Sequence, residues 1–194
     1  MMRRMSFIAR ADEDKGDLFA WWDGSELTAD TQFQCNMNEA ILVLDANGEE
    51  TVATLGPGRH ALPAELRRFV DGGEVIVIFI TTSALQLEAE GVLEEHEDQP
   101  WVEIAATFTV RDAAKALELL PHLDDDETPE DWLSEELVIG AARVAAEHGG
   151  DLAALRAASS SFKGQLEALA NEDLAAFGLS ARVTSVEFSE SEDE

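Results

Sequence analysis

Alternation of apolar and polar residues predicts β-strands through much of the first half of the chain. The stretch 101–111 is the clearest strand, and one of its faces carries Val102, Ile104, Ala106, Phe108 and Val110. The other face carries Trp101, Glu103, Ala105, Thr107, Thr109 and Arg111. We expect the first face to meet a hydrophobic core and the second to be at least half wet.

Other apolar stretches predict further strands. They are residues 18–22, 32–44, 51–55 and 74–87, and the second of these is long enough for one bent strand or two short ones. An acidic turn through Asp23 and Gly24 is expected after the first stretch. Residues 94–100 are expected to form an exposed hairpin tip.

Glycine and proline mark the turns of this region. Asn47-Gly48 is the dipeptide favoured where both turn residues need a positive φ. In Gly56-Pro57-Gly58, Pro57 fixes φ at the first turn position and Gly58 tolerates a positive φ at the second, which predicts a type II turn. Residues 62–70 have room for a short helical turn.

Helical periodicity takes over after residue 111. Asp112 is expected to cap a helix over 113–120 that Pro121 stops, and Thr128 to cap a helix that ends at Gly149-Gly150. The apolar stripe of that second helix is Leu133, Leu137, Ala141, Val144 and Ala145, and Trp132 is expected in the core. Asp151 is expected to open a short helix.

The C-terminal part combines a long helix with a last strand. The helix stripe is Phe162, Leu166, Leu169, Ala170, Leu174 and Phe177, and Gly178 is its predicted C-cap. Residues 179–188 form the strand. Its alternation of apolar and polar residues shifts by one position, which predicts a bulge near Ser185. Strands followed by helices and one returning strand describe an α+β fold.

The expected domain organisation is simple. Residues 1–14 are a flexible or edge-strand N-terminus, 15–189 form one α+β domain, and 190–194 are a disordered acidic tail. The longest apolar runs, 40–44 and 75–80, are far shorter than the roughly 20 residues that a bilayer-spanning helix needs. We therefore expect no direct transmembrane anchor.

Charge changes the picture of possible partners. The 194 residues include 41 acidic and 13 basic side chains, a formal net charge of -28, although 45% of the residues are hydrophobic. Nucleic-acid binding needs a positive surface, so it is excluded, and docking of the whole body on anionic lipid is disfavoured for the same reason. The acidity indicates either a solvated coat, from a high-salt habitat or a lysine-poor proteome, or a surface that attracts cations or a basic partner.

The acidic residues are densest between Glu88 and Asp131, where 15 acids stand against Arg111 and Lys115. Candidate interaction residues there are Glu94, Glu95, Glu97 and Asp98 around His96, and Asp124, Asp125 and Asp126 beside His122. A zinc site needs three or four converging ligands, usually His or Cys, so solvated loops are favoured over metal sites. We expect no metal and no cofactor.

Catalytic chemistry has little support in the sequence. Residues 159–161 are three serines without the glycines of a nucleophile elbow, and they favour a helix start. His60 directly follows a predicted turn, and this position favours a structural packing role over a catalytic one. The single cysteine, Cys35, indicates a reducing cytoplasm and a small buried residue. Trp21 and Trp22 are interface candidates, since neighbours on a strand point to opposite faces and at least one should be exposed or covered by a partner.

Three stretches, in this order, resemble the SPFH (stomatin, prohibitin, flotillin; Band 7) domain. They are 38–43 with Asn47-Gly48 and 55–62; 75–80 with 102–110 running into Asp112; and 169–179 followed by 183–188. The likeness spans roughly residues 15–189 and is greatest to the soluble bacterial branch described as virion-core-protein-like. The membrane hairpin, long coiled coil and zinc ribbon of other relatives are not expected here.

The resemblance implies a non-enzymatic scaffold that self-associates or recruits protein partners. Such a domain would be cytoplasmic and would reach a membrane through another protein, with edge strands and the last long helix carrying the contacts. The alternative is an acidic binding module for divalent cations or a basic protein partner.

Overall fold

The computed structural model describes residues 7–11, 17–70, 72–93, 99–124, 126–148 and 151–190. The fold is α+β, as the sequence predicts, with several antiparallel strand pairs, then helices and a C-terminal strand. The chain divides into two compact units, residues 1–83 and 84–194, and each is described by itself. The single domain over 15–189 stays a prediction.

The described residues of unit 1 form strands and one short helix. The strands are β1 Phe7–Ala9, β2 Phe19–Glu26, β3 Gln32–Cys35, β4 Glu39–Asp45, β5 Thr51–Leu55, β6 Gly58–Ala61 and β7 Glu74–Thr81. They form a three-stranded sheet in the order β1-β3-β6 and a four-stranded sheet in the order β2-β7-β4-β5. A 3₁₀ helix, Ala64–Phe69, occupies the place of the predicted helical turn.

A hydrophobic core joins both sheets of unit 1. Phe33 of β3, Ile41 of β4 and Phe79 of β7 belong to it, together with Leu66 of the 3₁₀ helix. The β-branched run in β7 is buried on both faces, because Val75, Val77 and Phe79 enter this core while Ile78 and Ile80 are also buried. A continuous apolar run is typical of a strand covered on both sides.

Two predictions for the strands of unit 1 need correction. The prediction of an acidic turn at Asp23-Gly24 is wrong, because β2 continues to Glu26. Its pairing with β7 shifts in register between Trp22 and Ser25. Residues 74–87 are two strands, the second of which belongs to unit 2. The stretch 32–44 is two short strands, and these lie in different sheets.

The hairpin between β4 and β5 turns at Asn47-Gly48, but with different backbone angles from those predicted. Gly48 has φ +73°, and in the described residues Gln99 is the one non-glycine with a positive φ, so Asn47 does not share the left-handed conformation. The Gly48 amide donates to the Asp45 carbonyl at 2.9 Å. The Asp45 carboxylate accepts the amides of Glu49 and Glu50, which closes the turn.

Gly56, Pro57 and Gly58 connect strands of two different sheets of unit 1. Gly58 has the predicted positive φ, at +131°. β5 pairs with β4 whereas β6 pairs with β3, so this bend is a crossover between sheets and the turn does not close a hairpin. Only local φ preferences can be read from Gly-Pro-Gly, since strand pairing depends on distant residues.

Unit 2 is a three-stranded antiparallel sheet with helices. The strands are β8 Leu85–Val92, β9 Trp101–Val110 and β10 Leu179–Ser189, in the order β10-β9-β8. The α-helices are α1 Ala113–Ala116, α2 Pro129–His148, α3 Leu152–Ala157 and α4 Ser159–Leu174, and two 3₁₀ helices are Leu117–His122 and Ala175–Phe177.

The two predicted faces of β9 are confirmed. Its apolar face is buried, whereas the residues of the other face are exposed or half-buried. Helix α2 packs against β8 and β9, and α4 packs against β10. The predicted stripe of α2 is buried at all five positions, whereas in the stripe of α4 Leu169 and Ala170 are half-buried.

Helix starts are predicted better than helix ends. Asp112 caps α1 by accepting the amides of Ala114 and Lys115. The predicted helix over 113–120 is wrong in its length, because α-helix ends at Ala116 and a 3₁₀ helix continues through Pro121 to His122. At α2, Thr128 and Asp131 form a reciprocal cap, in which the Asp131 amide donates to Thr128 Oγ1 at 3.1 Å and the Thr128 amide donates to Asp131 Oδ2 at 3.3 Å. Gly149-Gly150 lies outside the described residues.

Gly178 connects the last helical turn to β10, as predicted. Its φ is +63°, and a Cβ at this position would lie 2.7 Å from the Asp112 carbonyl oxygen. That same carbonyl accepts the amide of Ala116, the last residue of α1, so it is held in place. The bulge near Ser185 is also confirmed, because the β9–β10 register shifts between Val183 and Ser185.

Within the described ranges, α2 is the longest helix, and no helix has both the length and the apolar character for a bilayer crossing.

Candidate functional site

Trp21 and Trp22 lie side by side on β2, an edge strand of the four-stranded sheet. Trp21 is 50% exposed and Trp22 is 38% exposed. They stand opposite Ile78 and Val77 of β7 and therefore point to opposite faces of the sheet. Both rings reach solvent because the strand is at an edge and loses its register with β7 directly after Trp22.

The two predicted acidic loops are only partly covered by the described residues. Glu94, Glu95, Glu97, Asp98 and Asp125 lie outside the described residues.

Asp124 and Asp126 are exposed around an open depression shared with Leu123 and Glu127. The Asp124 amide donates to Glu127 Oε2 at 3.0 Å, and the Glu127 amide returns a bond to the Asp124 carbonyl at 3.1 Å. This loop is thus closed by its own hydrogen bonds. In the part of the chain that the structure describes, no three His, Cys, Asp or Glu side chains are grouped as a metal ion would need.

A second acidic surface, none of whose glutamates is among the candidate interaction residues, lies on the open face of the unit 2 sheet. A depression of about 430 Å³ is lined by Ala105, Ser185 and four glutamates, Glu88, Glu90, Glu103 and Glu187. We call these four glutamates the acidic face. All four are exposed, and no ion pair among the described residues involves them.

Three members of the acidic face form one row across the sheet. Glu103 of β9 is directly opposite Glu90 of β8 on one side and Glu187 of β10 on the other. Neighbouring strands are about 5 Å apart, and like charges directly opposite each other destabilise a sheet. The row therefore acts against folding and attracts positive charge. The alternation in 101–111 places Glu103 on the wet face, but the register that aligns the row cannot be read from one strand.

The outer edge of β10 is covered by helix side chains. Asn171 of α4 donates its Nδ2 to the Ala181 carbonyl at 2.8 Å and accepts the Ala181 amide on its Oδ1 at 3.0 Å. Glu167 accepts the Val183 amide at 3.0 Å. Arg156 of α3 donates to the Phe188 carbonyl at 2.9 Å. These groups make the hydrogen bonds that another strand would make, and we call this side the sealed edge.

The opposite edge of the same sheet is β8. Gln86, Glu88 and Glu90 are exposed on its open face, while Leu85 and Leu87 are half-buried on the side facing the helices. Helix α2 lies close beneath the far end of the strand, since a Cβ on Gly91 would come within 2.8 Å of Val138 Cγ1. We call this side the β8 edge.

Unit 1 contains a buried polar cluster around Arg10 and Glu39. Arg10 donates to Thr81 Oγ1 at 2.7 Å and to the Asp17 carbonyl at 2.5 Å, and its Nη1 lies 3.9 Å from Glu39 Oε1. Glu39 also accepts the Asn36 amide at 3.0 Å. Both charged side chains are thus held by hydrogen bonds, as burial requires.

Cys35 belongs to the core of unit 1, which confirms its prediction as a small buried residue. It is 2% exposed, and its Sγ donates to the Glu39 carbonyl at 3.2 Å. Burial, and secondarily the Glu39 carboxylate, raise the pKa of this thiol to about 11. The thiol is therefore protonated at neutral pH, whereas a nucleophilic cysteine must ionise.

The histidines in the described ranges make structural contacts. His60 Nε2 lies 2.7 Å from the Gly56 carbonyl oxygen, across the Gly-Pro-Gly bend. The ring of His122 packs edge-on against Phe177 at 5.2 Å, and Trp132 packs against the same ring at 5.5 Å. Trp132 is half-buried, so its prediction as a core residue is wrong.

The seam between α2 and α4 carries three charged groups and a narrow apolar crevice. Arg143 pairs with Asp173 at 2.9 Å. Burial, the Asp173 carboxylate and the Glu135 carboxylate raise the pKa of Glu136, and Arg143 opposes them. The crevice, of about 20 Å³, has room for one water, far below the 300–1,000 Å³ of typical ligand pockets.

No family model matches the chain, and no curated protein matches it significantly. The resemblance to the SPFH domain therefore depends on the three stretches given above.

Proposed function

We propose that this chain is a non-enzymatic interaction domain that binds other proteins or further copies of itself. The exposed pair Trp21 and Trp22 carries this proposal, because tryptophan is the residue most enriched among binding hot spots. Its position on an edge strand adds backbone groups that a partner strand could pair with.

By its resemblance, the domain would act as an SPFH-type scaffold in the cytoplasm. It would reach a membrane through another protein, because a chain with a net charge of -28 is repelled by anionic lipid.

The test compares the double variant Trp21→Ser/Trp22→Ser with the wild type by light scattering after size-exclusion chromatography, over a wide range of protein concentration. We expect the wild type to self-associate and the variant to weaken that association at least tenfold. The control is Ile139→Ser, since Ile139 is 44% exposed on α2 in the other unit. A wild type that stays monomeric at every concentration, or a variant that associates like it, would count against self-association through this pair.

A second candidate is an acidic binding module for divalent cations or a basic protein partner. The acidic face favours it, because three carboxylates in one row attract positive charge. Titration calorimetry with Ca²⁺ and Mg²⁺ tests the cation form. Heat that disappears in Glu103→Gln would support it, and no heat in the wild type would exclude it.

A further inference from the structure

The two edges of the unit 2 sheet differ in what they offer to another strand. At the sealed edge, Asn171 and Glu167 already satisfy backbone groups of Ala181 and Val183. At the other end of the sheet order stands the β8 edge, whose strand pairs with β9. A fourth strand is therefore excluded at β10 and has a place at β8.

Charge determines which strand fits the β8 edge. In a pairing of β8 with β8 of a second copy, Glu88 and Glu90 would stand opposite glutamates or glutamine of the same face, and like charges in that position repel. A strand with arginine or lysine at every second position would instead place a positive charge opposite each glutamate. The row Glu187-Glu103-Glu90 would then end on a positive charge.

The other face of the incoming strand would meet apolar surface. Leu85 and Leu87 are half-buried on the side of β8 that faces the helices, so each has area left to cover. A segment that alternates basic and apolar residues matches both faces of the β8 edge, because side chains alternate along a strand.

We propose that the β8 edge binds an extended segment of a partner protein, with alternating basic and apolar residues, as a fourth strand of the unit 2 sheet. This inference builds on the proposed role as an interaction domain and specifies the chemistry of one partner. Backbone hydrogen bonds would supply affinity, and Glu88 and Glu90 would supply selectivity.

The probe is a fluorescent peptide of alternating arginine and valine that is eight residues long, the length of β8. Its binding is measured by fluorescence anisotropy at low and at physiological salt. Two further peptides carry N-methyl groups on all valines or on all arginines. Amides of alternate residues in a strand point to opposite edges, so one of these peptides should bind like the parent and the other should lose binding. Binding by charge alone would treat the two peptides equally.

The protein variants separate the β8 edge from the general acidity of the chain. We expect Glu88→Gln/Glu90→Gln to weaken parent-peptide binding about tenfold, from two lost cross-strand charge pairs. The control Glu147→Gln/Glu172→Gln removes the same charge from exposed positions of α2 and α4 and should change affinity less than twofold. Amide exchange should show new protection within 85–92.

The proposal is overturned by no binding of the parent peptide, by equal binding of both methylated peptides, or by equal effects of the two charge variants. Its failure differs from a failure of the proposed function. Trp21→Ser/Trp22→Ser should leave peptide binding unchanged, so loss of self-association in that variant without any peptide binding would retain the interaction domain and reject the β8 edge.

Discussion

The two outer strands of the unit 2 sheet differ in what covers the backbone groups at their outer edges. β10 is closed by amide, carboxylate and guanidinium groups from α3 and α4, so its edge is already hydrogen-bonded within the unit. β8 keeps charged side chains at its edge and no equivalent cover among the described residues. A sheet can thus be protected from wrong pairing in two ways. At one edge, side chains of the same unit already make the hydrogen bonds, and at the other edge charged side chains repel unsuitable strands. Only the charged edge leaves room for a partner strand.

The largest effect is expected where the sealed edge begins. Gly178→Ala would place a Cβ 2.7 Å from the Asp112 carbonyl oxygen in a left-handed backbone, so the free energy of unfolding should fall by about 3 kcal/mol. Urea denaturation measures the loss. The control is Gly164→Ala on α4, where a Cβ meets nothing within 4 Å and the helix should gain about 0.5–1 kcal/mol. Equal effects of the two substitutions would show that the corner tolerates a side chain.

The seal itself is tested by Asn171→Leu. This change removes both partners of Ala181 and leaves two backbone groups unsatisfied, so we expect a loss of about 2 kcal/mol in unfolding free energy. The exposed neighbour Glu172→Gln should change stability by less than about 0.5 kcal/mol. Light scattering should also detect more self-association in Asn171→Leu, since its β10 edge is uncovered. If Asn171→Leu were as stable as Glu172→Gln and associated no more than it does, the contrast between the two edges would be removed.

On the open face, Glu103→Thr should stabilise the protein. It removes two like-charge pairs at once and adds a residue that favours strands, for a gain of about 1 kcal/mol at low salt. Urea denaturation at low and high NaCl should show this gain shrinking with salt, because ions screen exposed charges. Glu103→Gln isolates the charge contribution. A gain that does not change with salt would mean that strand preference alone explains it.

The smallest effect concerns the seam between α2, which packs on β8, and α4, which seals β10. The raised pKa of Glu136 means that the folded state holds this proton more tightly than the unfolded chain. Its stabilising contribution is complete below pH 4.5, the ordinary value, and is lost as the pH rises through the raised value. Glu136→Gln should remove that decline and gain less than about 0.5 kcal/mol at pH 7, since the site is partly exposed. Unfolding measured between pH 4 and 8 should distinguish it from Glu135→Gln.

Local patterns predicted local structure well. The faces of β9, the cap at Thr128, the left-handed Gly178 and the bulge after Val183 each depend on residues within one or two turns of chain, and all four are confirmed. Pairing between strands is different, because it depends on residues far apart in sequence. Strands β3 and β4 are separated by three residues and yet lie in different sheets.

The candidate surfaces follow the same division. Trp21 and Trp22 could be singled out by residue type alone, although the exposure of both rings depends on the edge position of β2. The row of three glutamates could not be predicted from the sequence, because it exists only once β8, β9 and β10 are in register. Acid density directed attention to loops, whereas the four glutamates of the acidic face lie on strands.

The buried position of Cys35 gives unit 1 its own reporter of opening. Because the chain contains one cysteine and its thiol lies in the core of that unit, a thiol reagent reacts only when unit 1 opens. When reclosing is fast, the labelling rate gives the free energy of that opening separately from the rest of the chain. The stability of unit 1 is thus measurable in the unmodified sequence.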